Sequence, residues 1–155
     1  MTTPESKVFI SGNLEGLSCS EKNVLKLIEL LIEVEPSLEK QLKSRQVNLT
    51  FITKNEIKEL NSKFLNKDQP TNVLSFPSNE LDFDERLLGD IAICPEIISN
   101  EADDQNKDRQ NHLFHIILHS LLHLVGYDHQ EDSSAEKMES IEIEALKKIG
   151  IANPY

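Results

Sequence analysis

At 155 residues, with 38% hydrophobic and 28% charged residues, the chain has the length for one domain with a real core and is too apolar for wholesale disorder. No run of eighteen apolar residues occurs, so no membrane-spanning helix is predicted. A net charge of −11 argues against a protein that holds nucleic acid through a basic surface. The charge is uneven, however. Residues 79–104 carry nine acids against Arg86 alone, whereas residues 54–67 carry Lys54, Lys58, Lys63 and Lys67. The N-terminus is polar and lacks an apolar signal core, so a cytoplasmic protein is expected. Cys19 and Cys94 have no metal-ligand spacing and are expected to be free thiols.

In chain order, KVFIS at 7–11 predicts a short strand, with Gly12, Asn13 and Gly16 in the connection after it. Ser20 is placed to cap a helix over 21–34, whose apolar face is Val24, Leu27, Ile28 and Leu31. Pro36 ends that helix or starts a short second turn. Val47, Leu49 and Phe51 alternate with polar residues, the pattern of a strand. Thr53 with Glu56 reads as a capping box, opening a helix with Ile57, Leu60 and Phe64 on one face. Residues 66–72 are polar and contain Pro70, so they form a loop before a strand at 73–76. An acid-rich loop at 78–86 precedes a strand at 87–93. Pro95 suits the first turn of a helix at about 95–101. A helix over roughly 133–149, stopped by Gly150, closes the chain.

The remaining stretch, HLFHIILHSLLHLVGYDHQ at 112–130, contains all five histidines. No Gly or Pro interrupts 107–125, and the segment is apolar around much of its circumference, which predicts a buried core helix. His115, His119 and His123 recur every fourth residue and share one face. All three cannot meet one ion, because His115 and His123 stand about 12 Å apart along the axis. Two nitrogens on one zinc lie about 3–4 Å apart. Gly126 ends the helix and lets the chain turn back, so the expected ligand set is His119, His123 and His129. Three histidines leave a position for water, the pattern of a catalytic zinc. His112 and His115 are read as packing residues or supports for the ligands.

The run HSLLHLVGYDH resembles the signature H-G-x-L-H-L-x-G-Y-D-H of the YbeY family, the bacterial rRNA maturation endoribonucleases, with Ser120 in place of the glycine. PTNVLSFP at 70–77 and LGDIAI at 88–93 resemble two further signatures of that family, in the same order. A weaker likeness runs over almost the whole chain. The resemblance implies one zinc ion per chain on His119, His123 and His129. It also implies a mixed sheet with the 73–76 strand as an antiparallel edge along the cleft, and rRNA precursors and the ribosome as partners. One position departs: the family has Tyr-Arg where this chain has Phe64 and Leu65. Leucine has no donor or charge for a phosphate.

Together these readings predict an α+β fold over 1–155 as a single metal-dependent endoribonuclease-like domain. It has a small mixed sheet of about four strands, about five helices, and its metal site on a buried core helix. Catalysis is assigned to His119 with Asp128, the latter orienting His129 or acting on bound water. Lys63, Lys67, Asn72 and Ser75 are expected to contact substrate. Phe76 is read as core, with a base-stacking platform as the alternative. Asp90 and Ser120 are expected to support the metal site, Asp90 by orienting a ligand histidine through its other ring nitrogen, with a structural hydrogen bond to a neighbouring loop as the alternative, and Ser120 as a small residue at a helix contact. The expected reaction is hydrolysis of single-stranded RNA. Two rivals stand beside it. A zinc peptidase would need a glutamate where Ser120 lies. A non-catalytic RNA-binding or ribosome-assembly factor would use its metal only to stabilise the fold.

Overall fold

The computed structural model describes residues 6–78, 86–127 and 132–155. Its elements are β1 (Lys7–Gly12), α1 (Glu21–Val34), a 3-10 turn at Pro36–Leu38, α2 (Glu39–Leu42), β2 (Gln46–Phe51), α3 (Lys54–Leu65), β3 (Val73–Pro77), β4 (Leu87–Ile93), α4 (Pro95–Asp104), α5 (Arg109–Leu124) and α6 (Asp132–Lys147). Most of the acid-rich 78–86 loop lies outside the described residues.

Side-chain caps set several helix starts. Ser20 Oγ accepts from the Asn23 N–H, and Asn23 Oδ1 accepts from the Ser20 N–H, closing a capping box on α1. Thr53 and Glu56 do the same for α3. Asp108 accepts from the Asn111 N–H at 2.9 Å, so α5 begins at Arg109. Asn66, at φ 56°, takes the left-handed conformation that stops α3 at Leu65, two residues short of the lysine-bearing span read from the sequence. Pro36 does start a second turn, and it runs on into α2, which gives six helices among the described residues where five were expected. The cause is apolar: Leu38 and Leu42 are both buried there.

The sheet order is β1-β2-β4-β3. β1 and β4 flank β2 in parallel, and β3 runs antiparallel to β4 as an edge, which is the mixed sheet implied by the resemblance. The two faces are covered unequally. Val47, Leu49, Phe51, Ile91 and Ile93 join a large core with α1, α5 and α6. The other face holds a small cluster of Ile57, Leu74, Ala92 and Cys94, with Leu60 and Phe76 packed on it. Gly89 marks how closely α5 approaches the sheet. A Cβ there would fall 2.6 Å from Leu124 Cδ2 and 2.6 Å from the Phe76 carbonyl oxygen. Among the described residues no helix is long and apolar enough to cross a membrane.

Candidate metal centre and substrate cleft

Helix α5 buries Leu113, Ile117, Leu118, Leu121 and Leu122 in the core. That leaves His119 and His123, one turn apart, on the rim of the core beside β3. Their Nε2 atoms stand 3.0 Å apart, with the rings at 80° to each other. Nitrogens that share one zinc ion lie about 3–4 Å apart, so the pair fits a single metal as it stands.

The other nitrogen of His119 is held from behind. Nδ1 is hydrogen-bonded to Oε1 of Glu142, on α6. Glu142 is wholly buried, and its second oxygen accepts from the Tyr155 hydroxyl. Burial alone would push its carboxyl up. The His115 and His119 rings and the Tyr155 hydroxyl outweigh that and bring it down to about 2. An ionised carboxylate can only accept, so Nδ1 carries the proton and Nε2, the nitrogen facing His123, presents its lone pair. This carboxylate–histidine pairing is the usual support of a metal ligand. Burial, with the Glu142 charge, holds the Tyr155 phenol protonated well above its ordinary range.

His115 lies on the same side. Its Nε2 is 3.6 Å from Glu142 Oε2, too long for a hydrogen bond, and its ring meets the Tyr155 ring edge-on at 5.5 Å. Donor atoms of His115, His119 and Glu142 lie within 4.8 Å of one another and form a candidate metal-binding group. The two arrangements make different use of His119. The group with Glu142 is centred on a wholly buried carboxylate, both of whose oxygens already have partners. The pair with His123 opens on a cleft.

That cleft has a volume of about 860 Å³. His119 and His123 form one wall, and β3 and the end of α3 form the other, with Phe64, Leu65, Lys67, Asn72, Ser75 and Phe76 along it. Of the expected substrate contacts, Lys67, Asn72 and Ser75 are therefore brought to the histidines. Lys63 is not among the lining residues, and its Nζ sits 5.4 Å from the Phe64 ring centroid instead. Asn61 ties the intervening loop down by donating to the Gln69 carbonyl at 2.8 Å. The Asn72 amide donates to Glu101 at 3.1 Å, and His112 Nε2 meets the same carboxylate at 3.1 Å. Burial works to raise the Glu101 pKa, but these two hydrogen bonds hold it below its ordinary value.

One expected support of the metal site, Asp90, is corrected. Asp90 is exposed and accepts from Asn48 Nδ2 at 2.8 Å. It points to the face of the sheet opposite Gly89 and Ile91, away from α5, because side chains alternate along β4. Ser120 is fully buried, and its hydroxyl bonds back to the Ile116 carbonyl at 2.8 Å within its own helix. Glu142 is the carboxylate that meets His119, and the sequence reading does not name it. A signal is present in the sequence: Glu142 sits on the stripe of Met138, Ile141, Ala145 and Leu146, where a helix buries no charge without a partner. His129 and Asp128 lie outside the described residues.

Residues 10–150 match the family described as Endoribonuclease YbeY. An Endoribonuclease YbeY of Francisella tularensis subsp. novicida is 42% identical over 141 residues, which cover 88% of this chain and 84% of that protein. A counterpart from Francisella tularensis subsp. tularensis is 48% identical over 115 residues, 71% of this chain and 68% of its own. The solution structure of a Thermotoga maritima protein is similar with a TM-score of 0.57 at 33% identity, over 92% of this chain and 91% of that one. Likeness of this extent, in sequence and in fold alike, makes the chain a member of the YbeY endoribonuclease family.

Proposed function

We propose that residues 1–155 form one zinc-dependent endoribonuclease domain that cuts single-stranded RNA in the cytoplasm. One zinc ion per chain is held by His119, His123 and His129. The substrates are precursors of ribosomal RNA, in particular the 3′ end of the small-subunit RNA, met on the ribosome. The observation that carries this reading is the pair of Nε2 atoms 3.0 Å apart on the wall of a cleft of about 860 Å³, in a chain of an endoribonuclease family.

A bound zinc ion supplies Lewis acidity, for polarising a phosphate oxygen or for lowering the pKa of water. The side chains do the rest. Glu142 keeps the proton of His119 on Nδ1, so that Nε2 faces the cleft as a ligand. Lys67 brings positive charge to the phosphate side, and the Ser75 hydroxyl is a donor for a phosphate oxygen. Asp128, next to His129 in the chain, takes the proton released by the attacking oxygen. Ser120 cannot act as the general base of a peptidase, since its hydroxyl is buried against the Ile116 carbonyl.

A second reading, a non-catalytic factor with a structural ion, is favoured by the closed group of His115, His119 and Glu142. The two readings part on His115. Zinc content per chain and cleavage of single-stranded RNA, duplex RNA and a peptide are measured on native protein and on single alanine variants. The catalytic reading expects about one zinc per chain and metal-dependent cutting of the single strand only. His119→Ala, His123→Ala and His129→Ala each lose much metal affinity and activity, while His115→Ala keeps most of both. Loss of zinc in His115→Ala with retention in His129→Ala would mean that the ion is in the closed group. Unfolding on removal of zinc, with no cleavage by the loaded protein, would establish the structural role.

A further inference from the structure

We infer that the Phe64–Leu65 lip of the cleft is a stacking platform for an unpaired nucleobase, which lies on the Phe64 ring. This rests on the RNA-cleaving function proposed above. Phe64 is 55% exposed and Leu65 is 51% exposed, at the end of α3 where the left-handed Asn66 turns the chain away. Two adjacent large apolar side chains left open to water at the mouth of a cleft form a patch that a ligand entering the cleft can cover. The Phe64 ring is also held in place. Phe76 on β3 meets it edge-on at 5.3 Å between centroids and is itself packed on the small core cluster. An aromatic ring that is both fixed and half open offers a π-face to a planar ligand without a large loss of side-chain freedom.

Charge identifies that ligand and its grip. The lip is two apolar residues, with Lys63 Nζ over the Phe64 ring at 5.4 Å from its centroid and Lys67 in the cleft lining, which suits a base attached to a phosphate better than a broad apolar protein surface. Yet Lys67 is the only lysine or arginine among the described residues lining the cleft, and the chain as a whole carries −11. Phosphate neutralisation therefore supplies little of the affinity, and the salt dependence of binding is shallow. Base-on-aromatic stacking is insensitive to salt and tolerant of sequence, and it supplies the remainder. A duplex keeps its base faces covered, so the same platform favours the single strand.

The test uses the full zinc-loaded chain and a fluorescent 2′-O-methyl octanucleotide, with its integrity checked on a gel after titration. The same strand with its two central bases removed serves as a second probe. Phe64→Ala is expected to bind the complete strand about tenfold more weakly, a difference of about 1.4 kcal/mol. On the abasic strand it should match the native chain. Phe64→Trp restores binding. Lys67→Ala weakens both probes alike and flattens the salt slope, which Phe64→Ala leaves unchanged. Equal effects of Phe64→Ala on the two strands, or none on either, would overturn the platform while leaving RNA cleavage intact. A native chain that neither binds nor cuts single-stranded RNA would overturn the proposed function and the platform together.

Discussion

Glu142 is an ionised carboxylate with no exposure at all, on a helix face otherwise made of Met138, Ile141, Ala145 and Leu146. Burying a charge is costly unless hydrogen bonds compensate, and here both oxygens are engaged, by His119 and by Tyr155. Glu142→Gln keeps the shape but removes the charge, and it also brings a donor face to a ring N–H. Zinc affinity, measured by chelator competition, is expected to fall about 10–100-fold. Nitrogen NMR of the metal-free protein should also show His119 losing its preference for the Nδ1–H tautomer. Unchanged affinity and an unchanged tautomer would remove Glu142 from this role. What was legible at this scale follows from local geometry. Residues four apart on a helix meet, so His119 and His123 could be paired without a structure. Glu142 lies on another helix, and nothing local says which helices face each other. For the same reason the neighbours of Asp90 in the chain do not reveal that it points away from α5, where it meets Asn48 instead of a histidine.

At the scale of elements, the close fit between α5 and the sheet places the histidines over β3. Gly89 is where that fit has no slack. In Gly89→Ala the new methyl meets the Phe76 carbonyl, which is backbone and cannot swing aside as the Leu124 side chain can. A loss of about 1–3 kcal/mol is expected, the usual cost of overpacking, read as a lower denaturation midpoint in urea. A native midpoint would show that β3 and α5 can separate freely. The capping boxes of α1 and α3 were legible because donor and acceptor lie three residues apart. The length of α2 and the conformation that stops α3 were not. The first depends on a core that Leu42 finds only in three dimensions, and the second on a left-handed asparagine, which composition does not distinguish from any other.

Over the whole molecule, the family signatures made the mixed sheet and its antiparallel edge legible, while pattern alone yielded the elements without their order. What neither shows is how unequally the sheet is covered. The face under α1, α5 and α6 holds the large cluster, whereas α3 is anchored mainly by Ile57 and by Asn61, the latter through the Gln69 carbonyl. Opening free energies follow local burial, so the molecule is expected to open in two steps rather than one. In amide hydrogen exchange of the native protein, the amides of α3 should exchange orders of magnitude faster than those of α5 between Leu113 and Leu122. Matching rates would mean a single cooperative unit. The α3 wall of the cleft thus has two states, the closed one in which Phe76 holds the Phe64 ring and a rarer open one, while the nitrogens on α5 keep their spacing through each such opening.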